Sequence, residues 1–139
     1  INTIEHNQLT WLDNELSTSK KKKIVFGHYP IISNGVYSDK LEPIYDVLLP
    51  ILKKNNVDAY ISGHEHNVQY INKQFDYFNL KQFIIGSSAE NRIYEYKYLY
   101  HYDMYDNIDN YIMIIYNENN RICVDFVNSK YQLKYKYIL

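Results

Sequence analysis

The order of apolar runs predicts an α/β chain with a mixed sheet that closes in antiparallel strands. Two short β-branched runs, "IVFG" (24–27) and "VDAYISG" (57–63), flank a helical stretch. Strand, helix and strand in that order form a βαβ unit with a right-handed crossover, hence a parallel pair. Further apolar runs separated by Asn-rich turns fill the C-terminal end, which is the pattern of an antiparallel meander.

The elements follow in chain order. Residues 7–18, "NQLTWLDNELST", carry Leu9, Leu12 and Leu16 at helical spacing, with Trp11 beside the stripe and Asn7 as a candidate N-cap. Lys20–Lys23 is a solvated turn. "IVFG" is a short buried strand stopped by glycine, and "HYPIISNGVYSD" is a loop rich in turn formers. The second helix lies in "LEPIYDVLLPILKKNN", with Ile44, Val47, Leu48, Ile51 and Leu52 as its apolar face. Lys53 and Lys54 suit its last turn, and Pro50 should kink or break it. "VDAYISG" is the second strand and "QFIIGSS" (82–88) a third that ends in a Gly-Ser loop. Residues 92–110, dominated by Tyr and Asp, fit no period and read as a loop or insertion. "YIMIIY", "RICVDFV" and "YQLKYKY" are the closing strands, with "NENN" as a hairpin turn between the first two. Tyr131, Leu133, Tyr135 and Tyr137 would form one packed sheet face.

With 139 residues the chain suits one domain with a modest core. A net charge of −1 gives no field suited to nucleic acid, and no nucleic-acid partner is expected. No apolar stretch reaches the roughly 20 residues of a membrane span. Single Cys123 cannot form an intrachain disulfide. The chain opens on Ile1, so it is expected to be part of a longer protein, and the missing signal peptide says little about location. Four glycines leave no phosphate cradle, and Ser33 has no nucleophile elbow around it.

The histidines carry the chemistry. In open α/β sheets ligands gather beyond the carboxyl ends of strands. His28 and His64 each follow a strand by one glycine, so both should reach the same edge. His66 is two residues further on, which in extended backbone sets its ring on the side of His64. Each glycine would let the chain turn without strain. Glu65 would then face away, either supporting the site or meeting solvent. Three imidazoles from two loops suit zinc, iron or manganese. The competing reading is that such histidines are ordinary polar residues at strand ends, and His6 and His101 are read so.

At "VFGHYP" (25–30) and "GHEHN" (63–67) the sequence resembles the calcineurin-like metallophosphoesterases, closest to the purple, or tartrate-resistant, acid phosphatase branch. That family carries V-x-x-H and then G-H-x-H. "NQLTWLDNEL", "LLPIL" and "FIIGSSAEN" resemble its neighbouring elements, and the last strands its closing sheet. The resemblance implies the C-terminal half of an α/β/β/α sandwich, one incomplete domain over 1–139, its N-terminal half missing. It further implies hydrolysis of a phosphate ester, most simply a phosphomonoester, by a hydroxide held between two metal ions, iron paired with iron, zinc or manganese. By motif, His28 and His64 would ligate one metal and His66 the other. The D-x-[DH], G-D-x-x-Y and G-N-H-[DE] ligand motifs of the family are absent from this chain. Where small purple acid phosphatases place a histidine that assists the leaving group, Tyr37 or Ser38 stands here. The resemblance also implies a secretory, vacuolar or extracellular setting. The alternative is a weakly active or inactive phosphatase-like scaffold of a membrane complex.

Overall fold

The computed structural model describes residues 6–38, 41–88 and 104–139. Its elements are α1 (His6–Thr18), β1 (Ile24–Phe26), α2 (Glu42–Lys54), β2 (Ala59–Ser62), β3 (Val68–Phe75), β4 (Phe78–Ile85), β5 (Met104–Asp106), β6 (Tyr111–Glu118), β7 (Arg121–Asn128) and β8 (Leu133–Ile138). Among the described residues a five-stranded sheet runs β1-β2-β4-β3-β5, and a three-stranded sheet runs β6-β7-β8. β1 pairs with β2 in parallel, as the βαβ pattern requires, and β2 pairs in parallel with β4. All other pairings are antiparallel, so the first sheet is mixed.

Period-two alternation sorts the first sheet's side chains onto two cores. Tyr60, Ile71, Phe78 and Leu80 face α1 and α2, where they meet Leu16, Ile44, Leu48, Leu49 and Leu52. Ala59, Ile61, Val68, Tyr70 and Phe83 face the second sheet, where they meet Val124 and Phe126. Tyr70 stacks on Phe83 at 4.5 Å, and Tyr137 of β8 packs on Tyr70 at 4.3 Å. The layers are therefore helix, sheet and sheet, a mixed α/β architecture.

Several sequence expectations need correction. Asn7 is not the N-cap of α1, because His6 is already helical. Pro50 does not break α2, which runs through it as one helix. Val47 is 39% exposed, and Leu49 takes its place in the core. β1 is an edge strand rather than a buried one, with only Val25 inside and Phe26 66% exposed. The β3–β4 hairpin has no counterpart in the sequence reading before Gln82. Of the Tyr-rich stretch, 104–106 form β5, and 92–103 lie outside the described residues, with His101 among them. In the last strand only Tyr135 and Tyr137 pack inward, while Tyr131 and Leu133 are exposed. The "NENN" turn stands as expected: Asn119 and Asn120 both take positive φ, 52° and 62°, as a two-residue turn matching strand twist requires.

Candidate metal centre

β1 and β2 run side by side in register, Phe26 opposite Ile61, so the segments leaving them emerge together. Gly27 N–H donates to Ile61 O, and Gly63 N–H donates to His28 O, which extends the pairing past the strand ends. The outcome is that His64 Nδ1 and His28 Nε2 lie 3.3 Å apart. Tetrahedral zinc with nitrogen ligands at about 2.0–2.1 Å sets those nitrogens roughly 3.3–3.4 Å apart, so this donor pair fits one such ion. His28 is exposed and His64 half-buried.

Aromatic rings frame the pair. The Tyr29 and Tyr37 ring centroids lie 4.5 and 4.6 Å from that of His64, and Tyr29 meets His28 edge-on at 4.8 Å. Tyr29 was not singled out from sequence. Its only signal was adjacency to His28, which looks the same for any loop aromatic.

His66 has its Nδ1 closed off from solvent. Among the described residues no three His, Cys, Asp or Glu side chains converge on a point, so His66 does not complete a trio with His28 and His64. The extended-backbone expectation for 64–66 fails. His64 sits at φ 65°, and residues 64–67 form bends rather than strand. The residue that follows is buried, Glu65 being 1% exposed. Burial pushes the Glu65 carboxyl above the usual range. Ser33 Oγ and the backbone N–H groups of Tyr37 and Val36 oppose the rise by donating to it.

The glycine argument also changes. No glycine has positive φ. Gly27 is needed for space, since a Cβ there would fall 2.1 Å from Tyr60 Oη. A Cβ on Gly63 meets nothing within 4 Å, whereas one on Gly86 would sit 1.7 Å from Glu65 O. The turn is thus accommodated by His64 itself and by Gly86 across from it.

Two glutamines missed from sequence hold the loop after β1. Gln82 Oε1 accepts the Ile31 and Ile32 N–H groups, and its Nε2 donates to Ile32 O. Gln69 Oε1 accepts the Asn34 N–H, while its Nε2 donates to Ser33 Oγ and Asn67 Oδ1. Both are fully buried. Ser62 and Ser87 hydroxyls, near the ends of β2 and β4, are buried and make no hydrogen bond among the described residues.

Residues 1–68 match the family model described as calcineurin-like phosphoesterase. The chain is 42% identical over 64 residues to purple acid phosphatase 17 of Arabidopsis thaliana, which covers 45% of the chain and 19% of that protein. It is 35% identical over 69 residues to tartrate-resistant acid phosphatase type 5 of Sus scrofa, covering 49% and 20%. These matches make residues 1–68 similar to the calcineurin-like phosphoesterases, and about half of the chain similar to purple and tartrate-resistant acid phosphatases. The matched stretch spans about a fifth of these curated relatives.

Two solved structures extend the likeness over nearly the whole chain. A yellow lupin (Lupinus luteus) purple acid phosphatase, PPD1, superposes with a TM-score of 0.81 over 97% of the chain and 28% of its own, at 13% identity, and so shows the fold. Plasmodium GAP50, described as the anchor in the inner membrane complex, superposes with a TM-score of 0.73 at 26% identity, covering 96% of the chain and 42% of its own.

Proposed function

We propose that the protein containing this chain is a binuclear-metal phosphoesterase, of the acid phosphomonoesterase type, to which this chain contributes His28, His64 and His66. The observation that carries the reading is the 3.3 Å approach of His28 Nε2 and His64 Nδ1 at the carboxyl edge of two parallel strands. In it, His28 and His64 hold one ion and His66 another, iron with iron, zinc or manganese. The chemistry such ions supply when bound is Lewis-acid polarisation of a phosphoryl oxygen and neutralisation of the charge that develops there. The chain's own part is to present neutral imidazoles, so occupancy falls as pH drops through the histidine range. For leaving-group assistance the reading assigns Tyr37, supported by its ring lying 4.6 Å from that of His64.

Residues 1–139 are read as the C-terminal half of one domain. Supporting this, β1 and β6 are both edge strands among the described residues, and exposed Phe26 and Ile112 line one cleft between them with Ile61 and Ile85. The absent half would cover that side and bring the remaining ligands. A secretory, vacuolar or extracellular location belongs to the same reading.

Metal analysis and a phosphomonoesterase assay of the full-length protein, with His64→Ala beside it, test the proposal. Loss of metal and of rate in the variant is expected, and unchanged metal content and rate would overturn the assignment. The 139 residues alone are expected to bind metal weakly and to turn over no phosphate ester.

A second reading has a specific observation behind it. The likeness to GAP50, an anchor in an inner membrane complex, favours a scaffold that keeps the fold without the activity. No helix among the described residues is long and apolar enough to cross a membrane, so attachment would fall to other segments or partners. Intact G-D-x-x-Y and G-N-H-[DE] motifs upstream support the enzyme, and loss of either supports the scaffold.

A further inference from the structure

A carboxylate on a surface turn between two histidines belongs in water, because burying it costs free energy unless donors replace the solvent. Glu65 is buried nonetheless. Its donors all come from one stretch of chain: Ser33 Oγ at 2.9 Å, Tyr37 N–H at 3.1 Å and Val36 N–H. Gly35 lies flat on the same carboxylate, where a Cβ would fall 2.2 Å from Oε2. The main chain of Glu65 is confined as well, since its N–H donates to Gly63 O at 2.8 Å and Gly86 abuts its carbonyl. One end of this stretch carries Tyr37, the ring beside His64. Gln82 holds residues 31 and 32, and Gln69 holds Ser33 and Asn34 at the start of the stretch, whereas Glu65 takes the Tyr37 N–H at its other end.

We propose that Glu65 is a positioning residue whose carboxylate latches the 33–37 loop to the histidine turn and thereby holds the Tyr37 ring against His64. His64, in left-handed backbone at φ 65°, directly precedes Glu65, so the histidine turn and the latch are one short segment. Three hydrogen bonds from one loop to a single carboxyl group fix the geometry of the latch. Tyr37 then walls one side of the His28–His64 pair, which limits what can approach it. The value of that wall for a phosphate ester rests on the metal-site reading, whereas the latch itself is observable without metal or turnover.

The test is the ring-proton resonance of His64 in full-length, metal-free, histidine-labelled protein, because a tyrosine ring at this distance displaces it. Tyr37→Leu marks the position without the ring. Glu65→Ala is expected to lose the displacement and move to that position. Glu65→Gln keeps an acceptor for Ser33 and Tyr37 and is expected to stay near the parent. A parent-like resonance in Glu65→Ala, with Tyr37→Leu displaced, would overturn the proposal. Should Glu65→Ala not fold, Gly35→Ala drives a Cβ into the carboxylate and carries the same test. Movement of the His64 resonance supports the latch, and none defeats it. Metal content of His64→Ala, measured separately, decides the metal reading, so the two failures are distinguishable.

Discussion

His28 Nε2 and His64 Nδ1 meet at 3.3 Å across 36 residues of chain, held by two parallel strands that end together. Two imidazoles this close either share one proton or share one cation, so their contributions to metal binding should not be independent. We expect His28→Ala and His64→Ala each to lower zinc affinity of the full-length protein by at least about 100-fold, beyond what losing a supporting residue costs. The double variant should add little to either. Calorimetric titration of the three variants checks this, and additive losses would separate the two rings.

Gln82 should matter more for stability than any polar side chain on the surface. Gln82→Leu removes the acceptor for Ile31 and Ile32 N–H and the donor for Ile32 O, all in a buried site. Stranding three backbone groups should destabilise by about 3 kcal/mol or more. Urea unfolding of the parent and variant gives the difference, and a cost below about 1 kcal/mol would mean the loop finds other partners.

Gly86 and Gly63 make a paired test. Alanine at 86 forces a Cβ within 1.7 Å of a backbone oxygen, whereas alanine at 63 enters open space at ordinary φ. Gly86→Ala should destabilise by about 3 kcal/mol, and Gly63→Ala should stay within about 0.5 kcal/mol of the parent. Thermal melts of both variants decide it. Equal effects would contradict the geometry.

Asp58 sets a small acid dependence. Burial raises its pKa, but the ion pair with Lys22 at 2.7 Å and the Lys23 N–H outweigh that and hold it below the ordinary aspartate value. A depressed folded pKa means stabilisation that is complete well above the unfolded value and is lost as pH falls through the folded one. Asp58→Asn should therefore lower the melting temperature slightly at pH 7, by an amount equivalent to about 1 kcal/mol or less given the exposed Lys22 end. The gap should begin to narrow as pH falls towards the unfolded aspartate value, near 3.9, and close only below the depressed folded one. A gap that widens in acid would reverse the sign of the coupling.

Of the site, the two strand-Gly-His endings were legible because periodicity and a following glycine are local signals. Where they lead was not. The fold of 64–66 depends on one left-handed residue, and nothing in "GHEHN" distinguishes that conformer from an extended one. The β3–β4 hairpin escaped for a related reason. Val68, Gln69, Tyr70 and Ile71 are all buried, so the strand shows no alternation, and Gln69 reads as a surface residue when its amide is in fact spent on the loop opposite. The Asn119–Asn120 turn was legible because its chemistry is contained in the two residues themselves.

What the sequence by itself determined is the order of elements: the βαβ unit, the closing antiparallel strands, the Asn turn and the histidines at the strand ends. Each of these follows from interactions among residues close in the chain. What only the tertiary structure decided is which groups face which: Glu65 turned inward onto Ser33 and Tyr37, Gln69 and Gln82 holding the loop, Gly86 giving room to Glu65, and β1 left at an edge. Those contacts join segments tens of residues apart. Burial in the finished fold withdraws water from their polar groups and leaves each only the partner that the packing brings to it.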